Sequence, residues 1–282
     1  MPIRIFFALL TLVILGLAIA SSVYIIEKIE KPKALAEQAL KESNPAPIDP
    51  GIGEFERAIT EIRNRQFPAA LERLRYIIKF FPKSTRYEDA RALCSQVNLD
   101  LLLSPNYRGD KVGYEVQKGD AVTKIAETHK TTLEYVKRVN QFTEFNLRPG
   151  DQVIVRPMEF GIQISMSGQK LVLTEAGAFF AEYPIEKIIF PAGVAVPFSS
   201  TVRNRLAWLD DKNLANTAKG YDQADKEIRL NRPGVTIRRT LNDEKEDDGG
   251  KKSRETGVFM AAADVDELCV LLRIGSKIDF AL

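Results

Sequence analysis

Residues 5–26 form an uninterrupted apolar stretch, IFFALLTLVILGLAIASSVYII, without a charged side chain. As a helix rising about 1.5 Å per residue, this stretch would be roughly 33 Å long, close to the roughly 30 Å hydrocarbon core of a bilayer. The pattern therefore predicts that residues 1–30 are a transmembrane anchor. Ala18 and Ala20 also form the A-x-A pattern of a signal-peptidase site, so a cleaved signal segment is the alternative. Both alternatives export the rest of the chain.

A short helical stretch and a proline-rich linker are predicted over residues 31–53. The helical pattern covers residues 33–43, and the sequence NPAPIDPG follows at residues 44–51. Proline fixes its own φ and lacks a backbone donor, so three prolines within six residues cannot continue a helix. This part of the chain is therefore expected to be a stiff linker.

Residues 54–108 have apolar side chains every three or four positions, which is the helical period. Breaks at residues 64–68 and 81–84 divide the segment into three helices. The three apolar stripes are Phe55, Ala58, Ile59 and Ile62, then Ala70, Leu71, Leu74, Ile77 and Ile78, then Ala90, Leu93, Val97, Leu101 and Leu102.

These helices resemble a tetratricopeptide-type hairpin followed by a third helix. One such repeat does not normally bury its own apolar face. Either residues 33–43 supply a flanking helix, or the hairpin packs on a neighbouring domain. Its role is open between a spacer and a partner-binding surface.

The pattern at residues 112–158 predicts two strands that enclose two short helices. A turn at Gly119 and Asp120 follows the first strand, and Asp120 or Thr123 is placed to cap the first helix. Thr131 and Thr132 are expected to start the second helix. A second turn, at residues 147–151, precedes the returning strand. The predicted order is strand, helix, helix, strand.

Fifteen positions of this segment form a pattern with fixed offsets: Tyr114, Val116, Gly119, Asp120, Ile125, Ala126, Leu133, Asn140, Asn146, Leu147, Pro149, Gly150 and residues 153–155. By these positions the segment closely resembles the lysin-motif (LysM) domain, over its whole length and without a gap. The family binds glycans that contain N-acetylglucosamine, namely peptidoglycan in bacteria and chitin elsewhere.

The resemblance places a shallow glycan groove between the loop after the first strand and the loop before the last. An N-acetyl group offers an amide for backbone hydrogen bonds and a methyl group for an apolar seat. Ala121 stands where the family usually has Thr or Ser, which removes one hydroxyl. The predicted glycan-binding residues are Gly119, Asp120, Ala121, Val122, Gln141, Phe142, Phe145, Asn146 and Leu147.

Residues 159–282 alternate apolar and polar positions in short runs separated by turns, which predicts a mostly-β domain. A capped helix at residues 263–272 precedes a last strand at residues 277–280. The segments 162–185 and 257–280 resemble the opening and closing parts of the L,D-transpeptidase catalytic domain, which often accompanies a LysM domain in envelope proteins.

The positions that match the catalytic residues of that family differ from it. In the family a cysteine thiolate attacks a peptide carbonyl and a nearby histidine activates it. Val258 stands in place of the cysteine, Met260 in place of the following arginine, and residues 236–238 hold no histidine. Cys269 lies on the apolar side of the following helix and is predicted to be a buried structural thiol; His129 is predicted to be exposed. The domain is therefore expected to be inactive, with no catalytic residue.

Composition narrows the remaining function classes. The chain is 45% hydrophobic and 28% charged, which is typical of a folded protein. A net charge of +2 gives no basic field for nucleic acid, so no nucleic-acid partner is expected. Two cysteines and one histidine are too few for a Cys/His zinc site or a disulfide framework, and neither a metal site nor a cofactor is predicted. The mixed-charge run at residues 243–255 predicts a solvated loop.

The combined hypothesis is a multidomain α+β protein of the bacterial cell envelope. It would hold peptidoglycan, or another N-acetylglucosamine glycan, without catalysing a reaction. Its further partners would be the inner membrane, through the N-terminal helix, and other envelope proteins, with the body on the periplasmic or extracytoplasmic side. Two alternatives remain: a wall-remodelling transpeptidase or hydrolase with a different nucleophile, and an envelope assembly scaffold.

Overall fold

A computed structural model describes residues 49–240 and 256–282, together with a few positions between residues 23 and 33. Most of the predicted anchor and linker, and the whole of the charged run at residues 243–255, lie outside the described residues. Within the described part, no helix is both long enough and apolar enough to cross a bilayer. The fold is a mixture of helices and strands, as predicted.

Three helices begin this part of the chain: α1 (Pro50–Arg63), α2 (Phe67–Phe80) and α3 (Tyr87–Leu103). The predicted breaks separate them. Helix α1 begins within the expected linker, because a proline in the first turn has no intrahelical donor to lose. The apolar stripes meet in a core that contains Ala58, Leu74, Ile77, Ala90 and Cys94.

The next segment has the predicted order of strand, helix, helix and strand. Its elements are β1 (Val112–Glu115), α4 (Val122–Thr128), α5 (Leu133–Val139) and β2 (Gln152–Val155). The two strands pair antiparallel. Helix α5 begins at the predicted position, where the Thr132 side chain accepts a hydrogen bond from the Tyr135 N–H at 3.0 Å.

The remainder is a ten-stranded sheet with one α-helix, α6 (Ala262–Leu271), which packs on β9 and β10. The strand order is β5-β4-β3-β12-β7-β9-β10-β11-β6, with β8 paired to β7. The strands are β3 (Phe160–Ser165), β4 (Lys170–Glu175), β5 (Ala178–Pro184), β6 (Lys187–Ile189), β7 (Phe198–Leu209), β8 (Lys212–Asn213), β9 (Asp225–Leu230), β10 (Thr236–Arg239), β11 (Gly257–Met260) and β12 (Lys277–Ala281).

One hydrophobic core contains residues from all three of these segments. Leu102 of α3, Tyr135 and Val139 of α5, and Ile164 and Leu171 of the sheet belong to the same buried cluster. Residues 50–282 accordingly form one compact unit. The sequence left open whether the hairpin packs on a flanking helix or on a neighbouring domain. In the structure, its third helix packs on the two segments that follow it in the chain.

Helix α3 covers the edge strand β5. Arg91 Nε donates to the Glu182 carboxylate at 2.8 Å, and the Arg91 guanidinium lies 4.4 Å from the Phe179 ring centre. Asn98 Nδ2 donates to the Phe180 carbonyl oxygen at 2.7 Å, and Ser95 Oγ accepts from the Glu182 N–H at 3.1 Å. An uncovered edge strand offers unpaired backbone groups to other chains, so this packing protects the sheet at β5.

Candidate functional site

The two predicted glycan loops lie next to the small core of the strand-helix-helix-strand segment. The first loop contains Gly119 at φ +90°, a conformation that side chains rarely adopt. The second loop begins directly after Asn140. Asn140 Nδ2 donates to the Val136 and Ile154 carbonyl oxygens at 2.8 and 2.9 Å, and its Oδ1 accepts from the Ile154 N–H at 2.7 Å. Asn140 therefore fixes the end of α5 to β2 and positions the second loop.

Asp120 closes the first turn instead of capping a helix. Its carboxylate accepts a hydrogen bond from the Tyr114 hydroxyl at 2.7 Å and from the Gln117 N–H at 2.8 Å. These bonds, the Tyr114 bond first, lower the pKa of Asp120 below its ordinary value. The N-cap position of α4 is Ala121, which has no capping side chain. The prediction that Asp120 or Thr123 caps this helix is therefore wrong. The Asp120 carboxylate binds Tyr114 and the turn instead, and Thr123 lies inside the helix.

Both loops contribute to one apolar surface. Val122 from the first loop and Phe142, Phe145 and Leu147 from the second pack on the same buried cluster. Each of the four is only partly buried, so part of each side chain remains accessible. The rings of Phe142 and Phe145 meet edge to face, with centres 6.4 Å apart. The predicted apolar members of the site thus pack on one common core and are all partly exposed.

The other members of the site differ in exposure. Gly119, Ala121, Gln141 and Asn146 are exposed, Asp120 is half-buried, and Gln141 has a φ of +56°. Asn146 Nδ2 donates to the Glu144 carboxylate at 3.2 Å, which leaves the Asn146 carbonyl oxygen available as an acceptor. The loop can therefore offer side-chain amides and backbone groups to a polar ligand at the border of the apolar surface.

A cavity of about 400 Å³ adjoins the second loop and is lined by residues of α5, α6 and the chain between β8 and β9. Glu134 of α5 accepts hydrogen bonds from Arg205 Nη1 at 2.9 Å and from the Tyr221 hydroxyl at 2.6 Å. Lys137 forms an ion pair with Asp222 at 2.6 Å. These contacts hold α5 against the sheet domain. Sequence patterns missed this cavity because its walls lie about 80 residues apart in the chain, where local periodicity carries no signal.

The positions matched to transpeptidase catalytic residues lie in the core. Val258 of β11 pairs with Ile237 of the parallel neighbour β10, and Val258, Ile237 and Met260 have no exposed surface. Both cysteines are buried as well, and desolvation raises the pKa of Cys94 to about 11 and that of Cys269 to about 12.

His129 lies at the surface and is partly exposed. Its ring packs edge to face on Tyr114, with ring centres 4.8 Å apart, so the end of α4 contacts β1. Within residues 49–240 and 256–282, no group of three or more His, Cys, Asp and Glu side chains is arranged to hold a metal ion.

Comparison with protein families identifies residues 114–156 as a LysM domain. The chain is thus a mixed α+β protein that carries a LysM domain, the module whose known ligands are peptidoglycan and other N-acetylglucosamine glycans. The comparison with curated proteins found no match.

The similar solved structures include L,D-transpeptidases, the family that the C-terminal sequence resembles. One from Stackebrandtia nassauensis has 12% identity and a TM-score of 0.30, over 43% of this chain and 55% of that one. Another, L,D-transpeptidase 1 from Mycobacterium tuberculosis, has 10% identity and a TM-score of 0.29, over 47% and 67%. A third, from Enterococcus faecium, has 13% identity and a TM-score of 0.28, over 66% and 82%. Similarity at this level does not extend to activity or substrate.

Proposed function

We propose that this chain is a non-catalytic protein of the cell envelope that binds peptidoglycan, or a related N-acetylglucosamine glycan, through its LysM domain. The observation that carries the proposal is the LysM match at residues 114–156 together with the shared, partly exposed apolar surface of its two loops. The binding residues are Gly119, Asp120, Ala121, Val122, Gln141, Phe142, Phe145, Asn146 and Leu147.

Each part of an N-acetyl sugar has a counterpart in these loops. The acetyl methyl group would pack on the apolar surface, where Val122 and Leu147 flank the two phenylalanine rings. The acetamide would exchange hydrogen bonds with backbone groups of residues 119–122 and with the Asn146 side chain. Asp120 contributes as a positioning residue, since its carboxylate binds Tyr114 of β1 and the Gln117 N–H of its own turn.

The C-terminal domain is proposed to have no transpeptidase activity. A valine cannot form a thioester, and Val258 is fully buried. The two cysteines are buried, and the single histidine of the chain packs on Tyr114 in the LysM domain. A cysteine-histidine pair therefore cannot form within the sheet domain.

The apolar segment at residues 5–26 is proposed to anchor the protein in the inner membrane, with the LysM domain on the periplasmic or extracytoplasmic side. One small glycan-binding module with a shallow surface is expected to bind weakly. Confinement to the membrane beside the wall would raise the effective concentration of the two partners for each other. The anchor would thus convert a weak contact into stable retention.

The test is cosedimentation of the purified whole chain, kept in detergent, with peptidoglycan sacculi, with muropeptides measured from the same tubes. We expect the protein to pellet and the muropeptides to remain unchanged over time. Val122→Ser should reduce pelleting, whereas Val112→Ser, a matched change at an exposed position of β1, should not. Absence of pelleting would overturn the binding proposal, and a time-dependent muropeptide product would overturn the non-catalytic one.

A further inference from the structure

The cavity beside the second loop is continuous with the proposed glycan site. Gln141, Phe142 and Phe145 belong both to that site and to the cavity wall. Its volume of about 400 Å³ lies within the range of small-ligand sites, about 300–1,000 Å³. A linear glycan has sugar units on either side of the one held by the loops. The next unit along the chain can therefore reach this cavity.

The lining suits a saccharide. Phe142 and Phe145 offer aromatic surface to the C–H face of a sugar ring, and the side-chain amides of Gln141 and Asn216 offer donors and acceptors to its hydroxyls. Neither amide makes a side-chain hydrogen bond within the described residues.

Most charged groups of the lining already have partners. Glu134 is bound by Arg205 and Tyr221, Lys137 pairs with Asp222, and Lys226 donates to the carbonyl oxygens of Tyr221 and Ala224. These groups are walls of the cavity and are not free to bind a ligand.

The side chains of two charged residues in the lining are available to a ligand. Within the part of the chain that the structure describes, the side chains of Arg138 and Asp266 make no hydrogen bond or ion pair. A guanidinium group presents a planar pair of donors that matches a carboxylate, whereas a carboxylate such as Asp266 accepts from hydroxyl groups.

We propose that this cavity is a second saccharide subsite, which takes the sugar next to the N-acetylglucosamine in the loops and binds a carboxylate on that sugar through Arg138. The inference rests on the proposed function and extends it from the class of glycan to its composition. The sheet domain would then take part in recognition, through Asn216 and Asp266. The protein would prefer a glycan that alternates neutral and acidic N-acetyl sugars over chitin, which has only neutral ones.

The experiment compares two soluble probes by isothermal titration of the whole chain in detergent. One probe is a peptide-free tetrasaccharide of alternating N-acetylglucosamine and N-acetylmuramic acid, and the other is the N-acetylglucosamine tetramer. We expect the acidic probe to bind at least about tenfold more tightly, as a charge-assisted hydrogen-bond pair allows. Arg138→Gln should remove this preference and leave the affinity for the neutral tetramer unchanged.

Two further variants make the outcome decisive. Arg108→Gln removes the same charge from an exposed position outside the cavity and should keep the preference. Asn216→Trp fills the cavity. It should lower the affinity for the acidic tetrasaccharide and leave the affinity for the N-acetylglucosamine disaccharide unchanged. Equal affinity for the two tetramers, or a preference that survives Arg138→Gln, overturns the subsite. Failure of both probes to bind the unaltered chain instead overturns the proposed function.

Discussion

Ile237 and Val258 are direct neighbours across the parallel pair of β10 and β11. By the sequence resemblance to L,D-transpeptidases, Val258 stands in the place of a cysteine, and residues 236–238 lie in the region of a histidine. Here both side chains are fully buried and belong to the main core. Neither side chain has an ionisable group.

The first prediction concerns thiol reactivity. Cys94 and Cys269 should not react with iodoacetamide at about pH 8 in the native protein, because buried thiols with a raised pKa form almost no thiolate. Labelling followed by mass spectrometry, with and without denaturant, measures this directly. Rapid labelling of Cys269 in the native state would show that this thiol is accessible beside the cavity. That result would support the alternative of a wall-remodelling enzyme with a different nucleophile.

The second prediction concerns the pH dependence of stability. Because the pKa of Asp120 is lower in the folded than in the unfolded protein, its contribution is full above the unfolded value of 3.8 and is lost as the pH falls through the folded value. Asp120→Asn should therefore lower the midpoint of thermal unfolding at neutral pH, and this difference should shrink as the pH falls below 3.8 and through the lower pKa of the folded protein. Glu127→Gln, an exposed change on α4, serves as the control. An Asp120→Asn effect that is constant with pH would mean that its charge plays no part.

The third prediction concerns the contact between α3 and the edge strand. Arg91→Met leaves the largely buried Glu182 carboxylate without its main partner, and we expect a loss of about 3 kcal/mol in the free energy of unfolding. Arg57→Met breaks the exposed pair with Glu54 and should cost less than about 1 kcal/mol. Urea unfolding of both variants gives the comparison. Equal losses would contradict the assignment of Arg91 to the interface.

The fourth prediction separates positioning from binding in the second loop. Asn140→Ala removes three side-chain hydrogen bonds, two of them to Ile154 of β2, and should cost about 2 kcal/mol of stability as well as glycan affinity. Asn146→Ala should weaken glycan binding at unchanged stability, since Asn146 is exposed. Thermal unfolding and peptidoglycan pelleting of the two variants distinguish the roles. If Asn146→Ala destabilises the fold as much as Asn140→Ala, the distinction fails.

Helices whose limits depend on residues close together in the chain were predictable from the sequence. The apolar stripes located α1 to α3, and Thr132 marked the start of α5, because a helical period and a capping residue act over a few positions. Asp120 was misassigned because two local roles, a turn and a cap, compete for one carboxylate, and the sequence does not rank them.

Contacts between distant parts of the chain had no such signal. Nothing near Glu134 indicates that Tyr221 and Arg205 bind it, because their meeting depends on how α5 packs on the sheet. The loop residues of the candidate site were predicted through the resemblance to LysM domains. The cavity beside them became visible only in three dimensions.

The covering of β5 by α3 also determines how the protein would respond to tension. If a glycan holds the LysM loops while the chain is pulled at Pro50, the force passes from α3 to β1 along residues 104–111. The contact of α3 with β5 braces this path from the side, because the Arg91–Glu182 pair, the Asn98 bond and the packed rings oppose a rotation of the helices away from the sheet. Helices joined to the rest of the chain by a linker alone would reorient freely under the same load.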